Sequence, residues 1–203
     1  MTDHWDRFYS SVDLPHLAEL SPFARFCGAM LVDSGPGILV DVACGNGRDA
    51  VFFAELGWEV VALDACEPAV AICKRSAADR GVSLTAHCCD AAGAGEHYRR
   101  AAVIYCRWGL HAVSAAQAAG WIHRWGEIGI GGMVAVEARA ADPGGGDRES
   151  WADGHYRRLI DPLGLRAAFE RMGFAPVHLE IGRGLSPIDG DDPRLVRIIV
   201  RKL

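Results

Sequence analysis

Short β-branched runs alternate with longer stretches of helical apolar spacing along most of this chain, and no other feature of it restricts the fold so tightly. The runs lie at 38–43, 59–64, 83–88, 102–107, 133–139, 175–181 and 194–201. Between them, "RDAVFFAEL", "EPAVAICKRSAAD", "AAQAAGWIHRWGEI" and "DPLGLRAAFERMG" carry helical spacing; the last has Asp161 as N-cap, Pro162 at the first position and Gly173 as stop. Such strand–helix–strand units build a mainly parallel sheet. The tail "FAPVHLEIGRGLSPIDGDDPRLVRIIVRK" holds two strand patterns with no clear helix between them, so the last strand is expected to return antiparallel. The predicted class is α/β: a seven-stranded, mostly parallel sheet with an antiparallel last strand and helices on both faces.

The 203 residues suit one domain with a full core, read as a helical segment over 1–35 and a sheet-bearing core over 36–203. A net charge of -5 argues against a surface that tracks nucleic-acid phosphates and leaves a small ligand as the better expectation. No apolar run approaches the roughly 18 residues of a membrane span, and "MTDHWDRFYS" lacks a signal-peptide layout, so a cytoplasmic location is expected. Seven cysteines, an odd number and mostly inside apolar runs, read as small core residues. "HCCD" at 87–90 has no second Cys/His pair at matching spacing, so no metal is expected. Only Lys74 and Lys202 among 21 basic residues are lysine, a bias that lowers the weight of any single arginine.

Ligands of an open α/β sheet bind beyond the carboxyl ends of the strands, near the point where strand order reverses. The first run ends there in "DVACGNGRDA", where Gly45 and Gly47 can take positive φ and bring bare amides toward a ligand at a helix N-terminus. Asp64 closes the second strand, 23 residues after Asp41, at about the separation where an acid accepts both ribose hydroxyls. Asp90 follows the third strand, in position to take a hydrogen bond from an adenine amino group. Asp64 also fits a cap for the helix near Glu67, and Asp90 also fits a turn residue.

Together these strand ends resemble class I methyltransferases that use S-adenosylmethionine, whose first motif reads acidic-x-Gly-x-Gly-x-Gly. Here that motif is Asp41-Val42-Ala43-Cys44-Gly45-Asn46-Gly47, with alanine at the first glycine, tolerable if its φ is negative. The resemblance implies a Rossmann-like fold, with Asp41, Ala43, Gly45, Asn46 and Gly47 at the methionine end of the cofactor, Asp64 and Ala65 at the ribose, Asp90 and Ala91 at the adenine, and Arg107 also against the cofactor. The segments "HWDRFYSS", "SPFARF", "YCRWGLHAV", "DGHYRRLID" and "GRGLSPIDGDDPRLVRIIV" are similar, in that order, to small bacterial methyltransferases of polysaccharide and O-antigen genes, grouped loosely with tellurite-resistance and thiopurine types. Relatives commonly carry Arg-Phe-Phe-x-His after strand four; here Arg107-Trp108-Gly109-Leu110-His111 lacks one aromatic, so the acceptor pocket is expected to differ.

The acceptor should lie beyond strands four and five. Candidates are Arg107, Trp108 and His111, then Arg139, and after the glycine-rich patch at 141–150, expected as a mobile loop, His155, Tyr156, Arg157 and Arg158. Arginines at one rim suit an anion through paired hydrogen bonds. For an alcohol acceptor His111 is the first candidate for general base, with His155 second, Arg107 as anchor and Tyr156 as donor; a phosphate or carboxylate needs no base. Trp5, Phe8 and Tyr9 recur at helical spacing, as an amphipathic helix docked on the core or as a lid over the cofactor, with Trp5 touching it. The expected activity is O-methylation of a small polar or anionic acceptor, such as a sugar, sugar phosphate or glycan-terminal acid. The alternatives are detoxifying transfer to thiol, selenium or tellurium anions, and a non-catalytic protein of the same fold.

Overall fold

A computed structural model describes residues 2–10, 19–31, 35, 37–152, 155–187 and 190–203, with backbone alone at 2, 3, 150, 152 and 155. Two helices come first, α1 (Thr2–Ser10) and α2 (Pro22–Met30), the second capped by the Ser21 hydroxyl accepting from the Ala24 amide. The core follows as β1 (Ile38–Val42), α3 (Arg48–Glu55), β2 (Glu59–Asp64), α4 (Glu67–Asp79), β3 (Thr85–Cys88), α5 (Gly95–Arg100), β4 (Val103–Arg107), α6 (Ala115–Trp125) and β5 (Met133–Arg139). A hairpin of β6 (Arg148–Ala152) and β7 (His155–Leu159) precedes α7 (Pro162–Arg171), β8 (Phe174–Gly182) and β9 (Leu195–Lys202).

The large sheet has seven strands in the order β3-β2-β1-β4-β5-β9-β8. The pairs from β3 to β5 are parallel, and β9 alone runs against its neighbours, wedged between β5 and β8. The fold class agrees with the expectation, down to the antiparallel last strand. The four central strands are buried on both faces, and their alternation splits the core in two. Val40, Val42, Ile104, Val134 and Val136 pack with Tyr98, Trp125 and Phe169; Leu39, Val103, Tyr105 and Ala135 pack with Phe23, Phe53 and Trp58.

Asp161 caps α7 through a hydrogen bond from the Leu163 amide, with Pro162 next and Gly173 at φ 77 as the stop. Two local expectations need correction. The third strand starts at Thr85 and not at residue 83. The patch at 141–150 is not wholly loop, because its last residues form β6, paired with β7 from Arg148↔Leu159 to Ala152↔His155. That hairpin hid in the sequence behind charged residues, which alternate poorly in hydropathy. Strand order reverses on either side of β1 and β4, and there the carboxyl ends of both strands open toward a shared crevice.

Candidate functional site

A cavity of about 540 Å³ fills that crevice, within the range of small-molecule sites. Its floor is the turn after β1. Ala43 has φ 58, so the expectation of a negative φ there is wrong: the alanine stands in the left-handed region that glycine favours. The residue fits because a facing position is bare. A Cβ on Gly109 would come within 2.9 Å of the Ala43 Cβ and 2.8 Å of the Cys106 Sγ, so the missing aromatic after β4 and the extra methyl in the turn are two halves of one contact.

Gly45 and Gly47 both take positive φ, at 56 and 79, yet they serve different neighbours. Gly45 lines the cavity, its amide donates to Asp64 Oδ2 at 2.9 Å, and a Cβ there would lie 2.4 Å from the Tyr9 hydroxyl. Gly47 is absent from the wall; a Cβ there would lie 2.3 Å from the Cys73 Sγ on α4. Its small size seats α4 against the turn.

Asp41, at the end of β1, is 2% exposed, and its Oδ2 has no hydrogen-bond partner among the described residues. Burial first, then the nearby Asp49, holds its carboxyl well above the ordinary range. Asp64 accepts from the amides of Gly45 and Cys66, each at 2.9 Å, which braces the turn; burial raises its carboxyl despite those bonds. Asp90 caps the short 3-10 turn of Ala91–Gly93 through the Ala92 amide at 2.8 Å and also meets the Trp121 indole N–H at 3.4 Å. Asp90 thus does the local turn work of the blander sequence reading, whereas Asp64 does not cap α4, whose N-cap is Cys66 with no side-chain cap bond. Both still face the cavity, beside Asn46, Ala65 and Ala91.

Over this floor lies α1, which adds His4, Trp5, Phe8 and Tyr9 to the wall. Burial, with the Asp64 carboxylate next, pushes the Tyr9 phenol far above its usual value, so it stays a neutral hydroxyl beside the glycine turn.

The opposite wall carries Arg107, Trp108, His111, Arg139 and Arg157. Trp108 sits at φ 62, an unusual conformation for a bulky residue, with the Arg107 guanidinium 4.3 Å and the Arg139 guanidinium 5.8 Å from its ring centre. Both arginines already have carboxylate partners. Arg107 Nε meets Glu137 Oε1 at 3.0 Å, and Arg139 meets Asp191 at 2.7 Å. Glu137, fully buried, also accepts from Arg197 at 2.8 Å and Ser186 at 2.9 Å. The Arg139 backbone N–H donates to Nδ1 of His111 at 3.2 Å, and the ring is 6% exposed.

Two expected acceptor residues lie elsewhere. Arg158 is turned into the fold, bound to Asp147 at 2.5 Å and to the Leu110 carbonyl at 3.1 Å. Tyr156 packs edge-on against Trp151 across the hairpin and is not on the cavity wall; burial, then Glu149, pushes its phenol up to about 12. The side chain of His155 lies outside the described residues. Sequence reasoning missed Glu137, whose signal was a lone acid inside the apolar run "MVAVEAR", and Asp49, held by Ser21 and the Tyr105 hydroxyl. Among the described residues no group of three or more His, Cys, Asp or Glu is arranged to hold a metal ion.

Comparison with known proteins gives a consistent picture. Residues 39–128 match the family model described as a methyltransferase domain. No protein of curated function matches the sequence. Among solved structures, 1,6-didemethyltoxoflavin-N1-methyltransferase of Burkholderia thailandensis, with bound 1,6-didemethyltoxoflavin and S-adenosylhomocysteine, superposes with TM-score 0.73 at 20% identity, covering 89% of this chain and 76% of that one. Magnesium protoporphyrin IX methyltransferase of Synechocystis PCC 6803, with bound S-adenosylmethionine, gives 0.70 at 16%, covering 99% and 90%. TehB of Haemophilus influenzae gives 0.70 at 13%, covering 100% and 67%. The chain therefore has the Rossmann-like fold of class I methyltransferases, and the matched domain, from β1 past α6, carries the glycine turn and all three acidic strand ends.

Proposed function

We propose that this protein is an S-adenosylmethionine-dependent methyltransferase acting on a small polar or anionic acceptor. One observation carries the reading: a buried carboxylate oxygen, Asp41 Oδ2, has no partner among the described residues at the floor of a cavity at the switch point of the sheet. A buried acid in that state calls for a cationic or donor group. The ammonium of a methionine moiety fits, held at the glycine turn whose Gly45 lines the same cavity. Asp64 retains lone pairs beyond its two amide bonds for ribose hydroxyls, and Asp90 can accept from the adenine amino group while it caps its turn. Trp5, Phe8 and Tyr9 close the cavity from above, which would exclude water.

The cofactor supplies an electrophilic methyl group on a sulfonium; the chain supplies position. Holding the acceptor in line is worth up to roughly 7–11 kcal/mol of barrier in well-oriented reactions. Trp108 contributes to the wall with the Arg107 guanidinium over its ring, and Arg157 and His111 line the same cavity. Because Glu137 and Asp191 already balance Arg107 and Arg139, the rim suits an acceptor of low charge better than a polyanion.

Calorimetric titration with S-adenosylmethionine and S-adenosylhomocysteine tests the reading. One-to-one binding of both is expected; absence of binding by folded protein overturns it. Methyl transfer from labelled cofactor to small acids, sugar phosphates and chalcogen anions then sorts the acceptor class.

A further inference from the structure

Of the buried side-chain atoms that make no hydrogen bond among the described residues, two belong to residues of the cavity wall: Asp41 Oδ2 and Trp108 Nε1. The others, on Trp125, Tyr156, Arg158 and His178, lie off that wall. Asp41 offers a lone pair at the floor. Trp108 offers the reverse on the opposite side, because an indole nitrogen can only donate. The neighbouring indole of the same wall shows the contrast, since Trp121 gives its N–H to Asp90 at 3.4 Å.

Trp108 carries a second cost. Its φ of 62 holds a bulky side chain in the left-handed region, and such backbone persists only where the surroundings impose it. Here the Trp108 amide donates to the Glu137 carbonyl at 2.8 Å, continuing the β4–β5 pairing, and the next residue, Gly109, is pressed against Cys106 and Ala43. The Arg107 guanidinium lies 4.3 Å from the ring centre and that of Arg139 5.8 Å, each tied to a carboxylate, Glu137 and Asp191. Cations beside the ring draw electron density from it and strengthen its N–H as a donor. Backbone strain and a buried donor without a partner, joined in one residue of a cavity wall, are not a product of packing. They fit a partner that arrives with the ligand.

Building on the methyltransferase reading of this cavity, we propose that Trp108 selects the methyl acceptor: its indole N–H binds a carbonyl or carboxylate oxygen of the incoming molecule. The guanidiniums beside the ring favour an oxygen rich in negative charge over an amine, whose own hydrogens would face them. The residue as a whole is half-buried, and Nε1 is shut off from water in the empty cavity, so contact requires a small turn of the indole. The bond holds and orients. It moves no proton, and it is the same whichever atom of the acceptor takes the methyl group.

Proton–nitrogen spectra of protein labelled at the tryptophan indole nitrogens test this. The Trp108 signal is the one lost in Trp108→Phe or, if that variant does not fold, in Trp108→Tyr. In ligand-free protein its proton is expected upfield, as for an N–H without a bond; a proton already in the hydrogen-bonded range overturns the proposal. With S-adenosylhomocysteine saturating, benzoate or acetophenone should draw the proton downfield, and ethylbenzene, of like size without oxygen, should not. No downfield shift with either oxygen compound, or an equal shift with ethylbenzene, overturns it. Where Trp108→Phe folds, affinity for the shifting probe should fall about tenfold, as for the loss of one good hydrogen bond, with S-adenosylhomocysteine binding unchanged; an equal loss for both overturns the assignment to the acceptor. Failure of S-adenosylhomocysteine to bind the unmodified protein in calorimetry sinks the methyltransferase reading instead, and the ligand-free signal of Trp108 remains readable.

Discussion

Asp41 costs the folded chain stability at neutral pH. Its carboxyl is raised by burial, so the folded state keeps the proton to higher pH than the unfolded state does. Stability from this group is full below the unfolded value of about 3.9 and falls as pH rises from there toward the folded value. Asp41→Asn should therefore raise the stability of the ligand-free protein at pH 7 by about 0.5–2 kcal/mol, the size common for a single stabilising substitution. The gain should vanish near pH 4 in denaturant titrations. The same change should weaken S-adenosylmethionine binding at least about tenfold, worth 1.4 kcal/mol. Ala43 offers a second test at this scale. Gly109→Ala should destabilise by about 1–3 kcal/mol through overpacking, and Ala43→Gly should recover part of it. The double-mutant cycle in thermal unfolding should show coupling of about 0.5 kcal/mol or more between the two; the Cys106 contact keeps the rescue incomplete.

Between elements, Glu137 is the tie that matters most for the acceptor wall. From β5 it reaches Arg107 at the end of β4, Arg197 on β9 and Ser186 in the β8–β9 connection, with no exposure to water. Glu137→Ala strands two guanidiniums and should cost about 3–5 kcal/mol in chemical unfolding. The helix α1 acts at the same scale but on kinetics. Phe8 lines the cavity and packs against Trp5 and Tyr9, so Phe8→Ala should speed S-adenosylhomocysteine release several-fold in stopped-flow fluorescence. Unfolding temperature should move little, because the core beneath α1 is built from the sheet and the later helices.

For the molecule as a whole, what was legible before the structure followed the period of the chain. Strands buried on both faces advertise themselves as continuous β-branched runs, and the strand ends Asp41, Asp64 and Asp90 could be read because sheet topology gathers carboxyl ends into one crevice. Side-chain direction was not legible. Arg107, Arg139 and Arg158 looked alike as rim cations, yet their carboxylate partners lie 30, 52 and 11 residues away in sequence and differ in kind. Gly47 looked like a ligand-facing glycine because nothing local reveals that Cys73 comes to rest against it. The amide that meets His111 Nδ1 lies 28 residues downstream, and only the pairing of strands brings it near. A crystal structure with S-adenosylhomocysteine bound bears most directly on the account. It predicts the ligand's amino group within hydrogen-bond distance of Asp41 Oδ2, its ribose at Asp64 and its adenine at Asp90; a ligand outside this cavity, or one whose amino group turns away from Asp41, would contradict it.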